Sequence, residues 1–160
     1  MPDTKSLYDE DFVVWSLQQA DAPRAAARAG SNQELDWTNL AEEIEDLGKS
    51  LRIALRSQVS RIIQHLAKLE FSPAANPRAG WRSSIREARD QIQQLLEDSP
   101  SLRPELDHYI AAQTPRAVKL AADDLNDYGE LETAVVAHVE AAAYTQEQIL
   151  GDWFPPEPKP

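Results

Sequence analysis

Nine apolar residues, Leu40, Ile44, Leu47, Leu51, Leu55, Val59, Ile62, Leu66 and Leu69, constrain this chain more than any other feature. The steps between them are 4, 3, 4, 4, 4, 3, 4 and 3. That period marks one face of an α-helix and does not fit a strand, whose side chains repeat every second residue. The spacing predicts a helix over about residues 36–70, roughly 50 Å long at about 1.5 Å per residue. Asp36 or Thr38 is placed to cap its start. Gly48 is a point at which it can bend without ending.

The other segments are also helical in pattern. A first helix is expected over about residues 8–29, with Phe12 and Trp15 on its apolar face, acidic residues in its first turn and Pro23 ending or kinking it. After the breaker-rich loop FSPAANPRAG, Trp81, Ile85, Ala88, Ile92 and Leu95 form a third stripe that stops near Asp98. Ser99 or Ser101 can cap a fourth helix carrying Leu102, Leu106, Ile110, Ala117 and Leu120, with a kink expected at Pro115. A turn at 126–129 leads to a fifth helix over about 130–142. Thr145 to Gln148 reads as a capping box opening a last short helix. The fold class expected is all-α: one domain over 1–160, a bundle of four main helices with a long second helix and short C-terminal helices. Residues 152–160 form an extended Pro-rich tail.

A chain of 160 residues with 42% hydrophobic side chains can bury a core without cross-links. The absence of Cys rules out disulfides, thiolate metal sites and a cysteine nucleophile. No apolar run approaches the roughly 20 residues of a membrane span, and the opening MPDTKSLYDEDF lacks a signal-peptide pattern. A cytoplasmic location with no membrane association is expected. The net charge of −11 disfavours nucleic acid and anionic lipid. Charge is uneven: residues 1–50 carry −7, 51–100 carry +3 and 101–160 carry −7. Pairing between such segments is the simple reading.

Several blocks occur together: YDEDFVVW, LDWTNLAEEIEDLGKS, HLAKLE, WRSSIREARDQIQQLLEDSPSLRPEL and YTQEQIL. In this order they resemble the bacterial family known as domain of unknown function twenty-nine, over about residues 7–110 and 144–155. The resemblance implies a compact helical bundle in a cytoplasmic bacterial protein and carries no catalytic residue across. It lapses at about 124–143, where the family has a shorter turn and an extra helix is expected here.

Three constellations bear on function. Glu42, Glu43, Glu45 and Asp46 are clustered, but a bundle-type dimetal site needs two Glu-x-x-His pairs and only Glu105 with His108 fits. A solvated acidic face is the simpler reading, and no metal or cofactor is expected. His65 lies beside the apolar stripe and needs a carboxylate partner to act as a base. Together with Glu43 and Arg89 it would form the site of a small-ligand or metal-dependent enzyme. Arg78, Arg82, Arg86 and Arg89 step by 4, 4 and 3 beside Trp81. They form a candidate ligand surface, including for a nucleic-acid backbone, or else pair with the acidic helices. Trp153 and Phe154, followed by Pro155 and Pro156, can strap the tail across the bundle or dock on a partner.

Phosphate-loop, nucleophile-elbow and HExxH patterns are all missing. The function expected is non-enzymatic protein–protein interaction, with a protein partner or a homodimer. The alternatives are the enzyme of Glu43, His65 and Arg89 and the nucleic-acid binder of the arginine stripe.

Overall fold

The helices expected from periodicity are present in a computed structural model that describes residues 6–129 and 131–157, and no strand occurs among them. In chain order they are α1 (Leu7–Glu10), α2 (Phe12–Arg28), α3 (Trp37–Phe71), α4 (Arg78–Asp98), a 3₁₀ segment (Pro100–Glu105), α5 (Leu106–Asp127), α6 (Thr133–Glu140) and α7 (Gln146–Leu150). The protein is all-α, with α2 to α5 as its four main helices. The 35 residues of α3 run as one piece through Gly48. Asp36 caps it, accepting from the Asn39 backbone N–H at 3.1 Å.

The chain packs as two compact units. The N-terminal unit takes the residues up to Leu55 together with Gln94–Pro104, and the second takes Arg56–Gln93 together with the residues from Glu105 onward. Helices α3 and α4 each contribute residues to both.

In the N-terminal unit the first expected helix is two helices. Asp11 adopts an extended conformation (φ −156°, ψ 99°) and separates α1 from α2. Its carboxylate accepts from the Val14 N–H at 3.0 Å, from the Ser101 N–H at 2.7 Å and from the Ser101 hydroxyl at 2.9 Å. The Val13 N–H donates to Ser99 Oγ at 3.3 Å. Ser99 and Ser101, expected to cap the fourth helix, therefore serve the start of α2, whose first N–H groups have no intrahelical partner. Pro23 does not end α2. It lies on the buried face with Val13, Ser16 and Ala20, and the helix continues to Arg28. Burial of the ring offsets the one backbone bond that proline forfeits. The helix stops at Gly30 (φ +66°), where Ser31 N–H reaches back to Ala26 O at 3.2 Å.

The face of α3 that α2 meets is a line of small residues. A Cβ on Gly48 would stand 2.4 Å from Ser16 Oγ, and Val13 Cα is 3.8 Å away. Ala41 is buried, and Arg24 pairs with Glu45 on the same side.

In the second unit α3 buries Val59, Ile62, Ile63, Leu66, Ala67 and Leu69, α4 buries Ile85, Ala88 and Ile92, and α5 buries a face from Leu106 to Leu125. Helix α5 packs against α6 and α7. Pro115 sits inside α5 without ending it. Thr145 and Gln148 form the reciprocal capping box that opens α7. The fifth helix is shorter than expected, beginning at Thr133, and Glu130 lies outside the described residues. Beyond α7 the chain bends at 151–152 and forms neither helix nor strand through residue 157; residues 158–160 of the expected tail lie outside the described residues.

The Gly48 contact yields a test in which the sign of one substitution reverses. Gly48→Ala gains up to about 1 kcal/mol of helix propensity. It also displaces a buried hydroxyl that now donates to Val13 O at 2.8 Å, at about 1–3 kcal/mol. Denaturant unfolding should show Gly48→Ala destabilising in the natural sequence and stabilising in a Ser16→Ala background. Stabilisation in both backgrounds would mean that α2 does not press on Gly48.

Candidate functional site

The four arginines of the expected surface are all on α4, and each has a defined neighbour within the second unit. Arg78 is buried (6% exposed) and donates to Leu69 O at 2.7 Å and Ser72 O at 3.1 Å. Those carbonyls end α3, where a cation is favoured by the helix dipole and by unpaired acceptors. Arg82 donates to Glu157 at 2.8 Å, and Arg78 Nε lies 3.8 Å from the same carboxylate. Arg89 donates to Gln148 O at 2.8 Å, Ile149 O at 2.8 Å and Trp153 O at 2.7 Å. Its guanidinium lies 4.9 Å from the Phe154 ring centre, and that of Arg86 lies 5.4 Å from it. Burial pulls the Arg89 pKa below the usual value, against the nearby Asp152 carboxylate and with the help of Arg86. The arginine stripe thus holds α7 and the chain that follows it. Pro155 is buried, and Trp153 stacks at a tilt 6.1 Å from Tyr144. The Tyr144 hydroxyl donates to Glu70 at 2.5 Å; burial first, and then this bond, push its pKa up.

Trp81 faces a separate cleft of about 420 Å³, lined with Lys68, Pro77, Asp124, Leu125 and Tyr128. Lys68 and Gln64 both reach Asp124, at 2.5 Å and 3.1 Å. His65, the residue after Gln64 on α3, is half-buried, and its Nδ1 is enclosed without a hydrogen-bond partner. Its pKa is pushed down to about 4 by burial first, then by Lys68 and Arg61, with Asp124 opposing. The imidazole is therefore neutral at pH 7. Glu43 belongs to the N-terminal unit, where it is exposed, about six turns before His65 along α3. His65 and Arg89 share a unit but have different neighbours. Among the described residues no three His, Asp or Glu side chains are grouped to hold a metal ion, and no helix is long and apolar enough to cross a membrane.

The first part of the apolar stripe on α3 lies partly open on the surface of the N-terminal unit. Leu40 is 40% exposed and Leu47 is 47% exposed, while Ile44 and Leu51 are half-buried. Their spacing of 4, 3 and 4 is that of the seam of a two-helix coiled coil, with Ile44 and Leu51 at a and Leu40 and Leu47 at d. The positions buried against α2, Ala41 and Gly48, are one step round the helix from this seam. Leu51 also borders a cleft of about 400 Å³ with Tyr8, Asp9, Phe12 and Asp98. Tyr8 is 52% exposed and makes edge contacts with Phe12 and Trp15, at 5.5 Å and 4.9 Å between ring centres. The signal was present in the sequence as a stripe; which part of it stays uncovered was not.

Residues 7–154 match the family described as domain of unknown function DUF29, and the chain belongs to that family. A solved structure with the same fold is an α-helical protein of unknown function from Rhodospirillum rubrum. It is 28% identical, with a TM-score of 0.71, covering 92% of this chain and 91% of that one. No curated protein matches the sequence.

The half-buried His65 makes stability depend on pH. A folded-state value near 4 against about 6.5 unfolded means that the unfolded chain binds the proton first. The contribution of the neutral imidazole is complete above about pH 6.5 and is lost as pH falls toward 4. Denaturation midpoints measured across this range should fall less steeply for His65→Gln than for the natural chain. Equal slopes would show that His65 titrates normally in the folded protein.

Proposed function

We propose that this protein is a non-enzymatic protein-interaction module of the bacterial cytoplasm, and that its binding surface is the seam Leu40, Ile44, Leu47 and Leu51 on α3. One observation carries the reading: these large apolar side chains recur at coiled-coil spacing and remain open or half-open to solvent. Scattered exposed leucines need no explanation, but a contiguous apolar run rimmed by charge marks a contact surface. The rim here is Asp36, Glu43, Asp46 and Lys49, all exposed. The lack of Cys fits a reducing compartment.

The other readings have less support. Catalysis by Glu43, His65 and Arg89 would need the three groups within hydrogen-bond reach of one substrate. Arg89 instead spends its donors on three backbone carbonyls, and His65 faces a lysine and an arginine. A nucleic-acid surface needs free basic donors, whereas Arg78, Arg82 and Arg89 bind acceptors of their own chain.

The test is native mass spectrometry of the tagged protein purified gently from its host, beside a Leu40→Asp/Leu47→Asp double variant. The natural protein should carry a partner, its own copy or another chain, at fixed stoichiometry. The variant should be monomeric with an unchanged helical spectrum, since exposed substitutions typically alter stability by less than about 0.5 kcal/mol each. A natural protein that is monomeric and free of any partner removes the interaction reading.

A further inference from the structure

We infer that Arg78 and Arg82 form a binding site for a single phosphoryl group, and that the carboxylate of Glu157 is its built-in competitor. The inference is independent of the α3 seam, which belongs to the N-terminal unit; these three residues all belong to the second.

The two guanidiniums converge on one point. Arg82 Nη2 lies 2.8 Å from Glu157 Oε1, and Arg78 Nε lies 3.8 Å from the same atom. The first is a hydrogen bond, and the second is too long to be one. Arg78 is 6% exposed, and its two terminal nitrogens are committed to Ser72 O and Leu69 O. Its Nε is therefore a buried donor beside the Glu157 carboxylate with no hydrogen-bond acceptor among the described residues. A buried donor in that state is costly, and in a folded protein it marks stored strain, a functional role or a bound group.

The geometry sets the chemistry of the ligand. One carboxylate oxygen serves Arg82 and leaves Arg78 Nε unmet. A phosphoryl group carries three strong acceptor oxygens, so one can meet Arg82 while another meets Arg78. Its charge of nearly −2 matches two guanidiniums, whose donor forks suit phosphate. A nucleic-acid backbone needs a row of such donors. Arg89 is held by three carbonyls, and Arg86 lies against Phe154, so the stripe offers one point of this kind.

Glu157 is placed to yield. Its side chain is 69% exposed, and an ion pair so open to water is weak. It stands two residues beyond the buried Pro155, so it can leave without disturbing the Arg89 contacts to Gln148, Ile149 and Trp153. Its tether keeps it near the site, where it competes with any free anion.

The probes are inorganic phosphate and glycerol 3-phosphate, titrated at constant ionic strength beside sodium chloride while the arginine Nε–H signals are followed by NMR. The Arg78 signal should move saturably with phosphate and not with chloride. Glu157→Gln should tighten binding about tenfold, as expected where a competitor leaves the site free about a tenth of the time. Arg82→Gln, with an unchanged helical spectrum, should abolish it. Tighter binding of the ester would make an organic phosphate the ligand, and tighter binding of inorganic phosphate the free anion. No saturable movement in either the natural chain or Glu157→Gln overturns the inference. Equal affinity with and without the Glu157 carboxylate, or binding retained in Arg82→Gln, overturns it too.

Discussion

The approach of α2 to α3 at Gly48 decides which face of α3 the N-terminal unit buries. Ser16 Oγ would stand 2.4 Å from any Cβ at that position. With serine at 16, only glycine leaves room for the hydroxyl, and the line through Ala41 and Gly48 is committed to α2. Small residues bring backbones together but bury little apolar area. The wider row of Leu40, Ile44, Leu47 and Leu51 sits to one side of that line and is only partly covered, with Leu40 and Leu47 left exposed and Leu51 bordering the cleft of Tyr8 and Phe12. Further along the helix the situation is reversed. Ile62 with Ile63 and Leu66 with Ala67 are adjacent and fully buried, which makes a broad face in the second unit. One helix therefore carries both a conventional core face and an open seam.

Much of this was legible in the sequence, for identifiable reasons. The period of α3, the Asp36 cap, the Thr145–Gln148 capping box and the turn at Gly129 depend on neighbours within a few residues, and local chemistry sets them. Pro23 misled as a helix end because the penalty for an internal proline is local, while its compensation is not. Pro23 is held on the buried face of α2 with Val13, Ser16 and Ala20. Ser99 and Ser101 misled in the same way. Their pattern suits the start of the next helix, yet their partners, Val13 and Asp11, are some 90 residues away in sequence. The stripe did not tell which residues from Leu40 to Leu69 are covered, because periodicity reports an apolar face and not whether anything covers it.

The candidate site was legible as residue types but not as roles. Sequence suggested acidic helices as partners for the arginines because opposite charge is all that composition can show. Most of the observed acceptors are backbone carbonyls at the ends of α3 and α7, together with the Trp153 carbonyl and the Glu157 carboxylate. Carbonyls leave no mark on a sequence. A guanidinium suits them better than an ammonium group would, since its fixed fork of donors can satisfy several acceptors at once, as Arg89 does with three. Glu43, His65 and Arg89 were grouped because a histidine base needs a carboxylate partner, yet one is exposed, one is half-buried and neutral, and one is a clamp.

The clamp also bears on where a partner can bind. Two apolar segments of this chain were candidates for docking: the aromatic tail and the α3 stripe. The tail is satisfied internally, with Phe154 under Arg86 and Arg89, Trp153 against Tyr144, and Pro155 buried. Freeing it would strip the Trp153 carbonyl of its donor and expose the rings to water, so the tail is a poor anchor for another molecule. The α3 seam has no such debt. Covering Leu40 and Leu47 breaks nothing already made, and each buried methylene adds about 0.8 kcal/mol. Surplus apolar surface without an internal claim on it is what an interface requires, and within the N-terminal unit the seam supplies it.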